Sequence, residues 1–172
     1  MILAASAYEV VLAIHVMAVV VAFGVTFAYP IMFAIGARHD PRGLPLLHRV
    51  EYTVERWLVN PGLLVVLLAG IYLAGDGHHW SDFFVQWGLG VVIVIGALIG
   101  SVMIPTAKRA ELLAARDLAS SGAREGAGAG EAAQATVDMS EEYRALARRL
   151  AAVGSLLSVL VLVTILIMVI KP

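Results

Sequence analysis

No cysteine occurs among the 172 residues, which excludes disulfides, iron–sulfur clusters, thiolate metal ligation and covalent haem attachment at a C-x-x-C-H motif. Any metal or cofactor must therefore be held by histidine, methionine, tyrosine, carboxylate or backbone. A P-loop, a Rossmann fingerprint and a nucleophile paired with its base are also missing. Charge is scarce and balanced: Asp, Glu, Lys and Arg make up 15% of the chain and the formal net charge is -1. Nothing marks a nucleic-acid surface or a polybasic lipid patch. The first apolar run has no basic n-region or small-residue cleavage site before it, so a removable signal peptide is not expected.

What the chain has instead is hydrophobicity. Hydrophobic residues make up 60% of it and the mean hydropathy is +0.88, far above what a soluble domain of this size tolerates. Four stretches contain no Asp, Glu, Lys or Arg, at about 10–37, 57–75, 83–107 and 150–170. Each approaches or exceeds the roughly 20 residues that a helix needs to cross a bilayer core about 30 Å thick. None alternates with period two, and a closed barrel needs more strands. These runs predict one all-α membrane domain over 1–172, an integral bundle of four transmembrane helices.

Lysine and arginine accumulate on the cytoplasmic side of membrane proteins. The first loop carries Arg38, Arg42, Arg49 and Arg56, and the third carries Lys108, Arg109, Arg116, Arg124, Arg144, Arg148 and Arg149. The second, "DGHHWSD", has none, and Lys171 alone lies with it. Both termini and the His78/His79 turn are expected outside. The excess of arginine over lysine, ten to two, points to a GC-rich bacterial genome, hence a multi-pass protein of the inner membrane. "KRAELLAARDLA" is expected to prolong the third helix, a small-residue linker to occupy about 120–137, and "DMSEEYRALARR" to restart helix with Asp138 or Ser140 as N-cap.

Inside the first run, "LAIHVMAVVVAFGVTFAYPIMF" sets one imidazole, His15, among apolar residues. Ionisable groups at such depth mark functional sites by default. At 100° per residue, Tyr8, Val11, Ala18, Ala22, Thr26 and Tyr29 fall within about 60° of it, so this stripe should face the bundle, with Val20, Phe23 and Phe27 toward lipid. Pro30 cannot donate to the Thr26 carbonyl, which predicts a kink. His15 lies roughly 9 Å below Glu9, and the same level on the other spans falls at Gly70, at Gly88 and Gly90, and near Thr164 and Met168. With Ala18 and Ala22 below the ring, the small residues leave room for a flat cofactor. They equally suit close helix packing around a hydrogen-bonded histidine.

The pattern of an early histidine, an aromatic-Gly step and a Tyr-Pro resembles the first helix of the CopD-like and HemJ-like bacterial membrane proteins. "RWLVNPGLLVVLLAGIYL" resembles their second span in its Pro-Gly start and downstream glycine. Taken overall, the chain most resembles the uncharacterised integral-membrane family called domain of unknown function 2269. The HemJ-like resemblance implies haem b, with His15 at the position of their first-span histidine. Those proteins also use a membrane lysine to oxidise protoporphyrinogen, and no span of this chain contains one. The CopD-like resemblance implies copper uptake, but Met17, Met32, Met103 and Met168 form no M-x-x-M track.

Weaker candidates surround this one. His78 and His79 with Asp76 and Asp82 suit either a metal or a polar turn. His48, Glu51 and Glu55, at i, i+3 and i+7, suit a cation or proton, although interleaved Arg49 and Arg56 favour a solvated, salt-bridged face. "NPG" at 60–62 suits the start of the second helix. Gly96 and Gly100 form a GxxxG that favours close contact or a homo-oligomer. The leading expectation is non-covalent haem b, or a related tetrapyrrole, in a redox or carrier role. His15 would be the metal ligand and Tyr8, Thr164 or a backbone carbonyl would fix its other nitrogen. A second axial ligand would come from Met168, the His78/His79 turn, water or another protomer. A cofactor-free accessory subunit and a metal permease are the alternatives.

Overall fold

The computed structural model describes residues 6–127 and 139–171. From residue 128 the expected linker lies outside the described residues, as does Asp138, while residues 120–127 belong to helix. Four helices are long and apolar enough to cross a membrane: α1 (Ala7–His39), α2 (Pro41–Asp76), α3 (Phe83–Ser121) and α4 (Glu141–Ile170). Helix continues past Ser121 to Ala127. The outward faces are apolar, with Val20 64% and Val169 75% exposed, a surface that suits hydrocarbon rather than water.

Local sequence sets the helix starts. Ser6 and Glu9 form a capping box, the Ser6 hydroxyl accepting from the Glu9 N–H at 3.2 Å and the Glu9 carboxylate from the Ser6 N–H at 2.8 Å. Ser140 caps α4 by accepting from the Tyr143 N–H at 3.2 Å. Its own N–H donates to Asp117 at 2.9 Å, which docks the start of α4 on α3.

Three of the helices break their regular winding shortly before a proline. A 3₁₀ turn at Val25–Phe27 precedes Pro30, a π turn at Glu55–Val59 precedes Pro61, and a second π turn at Ile99–Met103 precedes Pro105. Proline lacks an N–H and its ring crowds the carbonyl four residues back, so the winding shifts there. Near Pro30, where a kink was expected, α1 thus changes its winding. Pro61 does not start the second helix, because that helix already begins at Pro41.

Two apolar cores fill the bundle. One, at mid-height, gathers Ala22, Phe23, Leu63, Val66, Ile95 and Val161; the other, between the long ends of α2 and α3 and the start of α4, gathers Leu44, Met103, Ala107, Ala110, Tyr143 and Leu150. Phe23, expected at the lipid face, is only 7% exposed. It turns inward because α1 is covered on two sides, with Ala22 against α2 and Phe23 against the core shared with Ile95 and Val161. Val20 and Phe27 do face outward.

Candidate functional site

Among the described residues, a cavity lies toward each end of the bundle, and the same three side chains, Phe23, Ile95 and Val161, line both. These residues form a partition. The cavity toward the termini has a volume of about 390 Å³ and the other about 310 Å³, each within the range of ligand pockets.

His15 lines the first cavity. Its Nδ1 lies 3.0 Å from the Val66 carbonyl of α2, and since a carbonyl only accepts, Nδ1 carries the proton in this contact. Nε2 is then the lone-pair nitrogen, the tautomer that suits a metal ligand. Of the partners expected for the ring, the backbone carbonyl is the one realised. The Thr164 hydroxyl is engaged elsewhere, accepting from the Trp87 indole at 3.1 Å and donating to the Leu160 carbonyl at 2.8 Å.

Tyr8, Gly70, Thr164 and Met168 line this cavity with His15, and Gly70 stands beside the ring, where a Cβ would come within 3.4 Å of Cε1. Ala18 and Ala22 do not line it. They pack against Gly62, where an added Cβ would lie 2.6 Å from that of Ala22. Gly88 is covered by the Met168 methyl group, and Gly90 faces open space. The mouth holds His79, whose Nδ1 is 2.7 Å from Asp82, and Lys171, whose ammonium lies 5.5 Å from the Phe84 ring centroid. His78 takes a left-handed turn conformation, with φ of 57°, and is exposed. Among the described residues, no group of three or more His, Asp or Glu is placed to hold a metal ion.

The second cavity overturns one expectation. His48, Glu51 and Glu55 are not a solvated face: they are 2%, 3% and 3% exposed. The Leu44–Val54 stretch of α2 packs against the prolonged α3 and the start of α4, with Leu44 in the same core as Tyr143. Arg49 points away to pair with Glu111 of α3, its Nε 2.8 Å from the carboxylate, and Arg56 lies over the Trp57 ring. His48 bridges two partners, Nδ1 at 3.1 Å from Glu51 and Nε2 at 3.1 Å from the Tyr143 hydroxyl. Its ring packs on Phe33, centroids 4.6 Å apart. Two further buried polar atoms on this cavity, the Tyr29 hydroxyl and Oε2 of Glu55, have no hydrogen-bond partner. The i, i+3, i+7 spacing on α2 was visible in the sequence; Tyr29 and Tyr143, brought in from α1 and α4, carried no local signal for it.

Comparison with known proteins finds no matching family model, no similar curated protein and no similar solved structure.

Proposed function

We propose that this is a multi-pass inner-membrane protein that holds a non-covalent b-type haem, or a related tetrapyrrole, at His15. The observation that carries the reading is the bond from Nδ1 to the Val66 carbonyl, which commits one ring nitrogen and leaves Nε2 as an unprotonated donor beside a mainly apolar cavity. The donor set fits such a group: one imidazole for the iron, apolar walls from Leu12, Val19, Leu89 and Val92, and Lys171 at the mouth as a cation for propionates. One-electron redox chemistry is what the group supplies when bound. The chain itself fixes the tautomer, orients the ring and keeps water from the walls. The reading agrees with the resemblance of the first two spans to HemJ-like and CopD-like proteins, and the termini and His15 would face outward.

The same hydrogen bond favours a second reading, in which His15 ties α1 to α2 in a cofactor-free accessory subunit. The absorption spectrum of detergent-purified protein, expressed with ample haem, separates the two. A Soret band that His15→Ala abolishes is expected. A wild-type protein without the band, or a His15→Ala variant that retains it in full, leaves the interhelical bond as the role of the residue.

A further inference from the structure

The cavity away from the termini differs in its lining from the one beside His15. Its walls are mostly apolar and aromatic, and the described residues that line it include no lysine or arginine. They include two carboxyl groups, Glu51 and Glu55. Glu51 is partnered by His48, whose other nitrogen meets Tyr143. Glu55 has no such partner, and Oε2 is buried beside the cavity, as is the equally unpartnered Tyr29 hydroxyl. Glu55 is 3% and Tyr29 8% exposed, so neither side chain is held toward water. A buried polar atom without a hydrogen bond costs on the order of 1–3 kcal/mol, and an unpaired charge costs more. The π turn that begins at Glu55 and the one at Ile99–Met103 both border this space, and such turns occur frequently at functional sites.

We propose that this cavity binds an amphiphilic organic cation, an ammonium group carrying an apolar or aromatic body, with Glu55 as its counter-ion and the Tyr29 hydroxyl as a hydrogen-bond acceptor. An anion finds no lysine or arginine among the described lining residues. A metal ion finds too few ligands, since the described residues contain no group of three placed for one. A proton on Glu55 neutralises its charge but leaves the Tyr29 hydroxyl and a volume of about 310 Å³ unused. An ammonium answers all three features: its N–H groups donate to Glu55 and Tyr29, and its body fills the apolar remainder, which Phe23 and Phe33 help to line.

Proton and cation then compete for the same carboxyl group. The titratable groups facing Glu55 are Glu51 and His48 from its own helix, Tyr29 from α1 and Tyr143 from α4, and α3 contributes only the apolar Ile95, Ile99 and Met103. When the site holds a proton, binding of the ammonium releases it, so affinity falls as the solution is acidified.

Isothermal titration of the detergent-purified full chain with 4-phenylbutylamine, against empty micelles and against the neutral 4-phenylbutan-1-ol, tests this. The amine is expected to bind at a single saturable site, at least about tenfold more tightly than the alcohol, with proton release detected by varying the buffer. Glu55→Gln should lose that preference and the proton release, and Tyr29→Phe should weaken the amine by about threefold. Equal binding of amine and alcohol to the wild-type protein, or an undiminished preference in Glu55→Gln, overturns the proposal. The comparison of the two ligands on wild type decides even if a variant does not fold.

Discussion

His48 is held at both ring nitrogens, by Glu51 and by Tyr143, in a position 2% exposed. His48→Ala strands a buried carboxylate and a buried hydroxyl together, and is expected to cost about 3–5 kcal/mol of stability. Tyr143→Phe removes only one hydrogen bond and should cost about 1 kcal/mol. Thermal unfolding in detergent measures both, and equal losses would show that the ring does not bridge its two partners. His15 makes a contrasting case, because the bond it makes among the described residues runs to the Val66 carbonyl. His15→Ala should lower stability by only about 1 kcal/mol while eliminating any Soret band, so a loss of folded protein comparable to His48→Ala would mark His15 as a structural residue.

At the level of the helices, close approach is concentrated at a few glycines. Gly62 receives Ala22 of α1, and the space for a side chain is already taken, since a Cβ there would lie 2.6 Å from that of Ala22. Gly62→Leu should push α1 from α2 and cost at least about 1–3 kcal/mol. Gly96 and Gly100, one motif in the sequence, have different surroundings: Gly96 faces Leu63 within the bundle, whereas nothing lies within 4 Å of a Cβ at Gly100. Gly96→Leu is therefore expected to lower the unfolding temperature, and Gly100→Leu to leave it unchanged. Size-exclusion chromatography of Gly100→Leu then reports on oligomerisation alone, because a change of assembly without a change of stability locates an interface between copies at that glycine.

On the scale of the whole molecule, two cavities of unlike chemistry lie on either side of the Phe23, Ile95 and Val161 partition. Which of them faces the cytoplasm is an expectation that rests on the basic residues, eleven of which precede or follow spans at the end away from the termini. Reporter fusions after residue 78 and at the C-terminus should report the periplasm, and a fusion near residue 128 the cytoplasm. A cytoplasmic C-terminus would reverse the sides of both sites.

Much of this architecture could be read in the chain itself. The number of spans follows from run length and hydropathy, because every backbone group in hydrocarbon must be satisfied within its own helix. The change of winding before Pro30 follows from the missing N–H, and a cap at the start of α4 from Asp138 or Ser140, of which Ser140 is seen to cap. For His15 the sequence showed an imidazole in an apolar run and left its partner open among Tyr8, Thr164 and a backbone carbonyl. Tertiary structure decided for the Val66 carbonyl, since Thr164 is taken by Trp87 and Leu160. It also turned Phe23 inward, set Ala18 and Ala22 against Gly62, and buried His48, Glu51 and Glu55. The physical reason is common to these cases: hydropathy and helix period are local properties fixed by the solvent around a segment. Which polar face is covered depends on helices distant in sequence, here the prolonged α3 and the Tyr143 turn of α4.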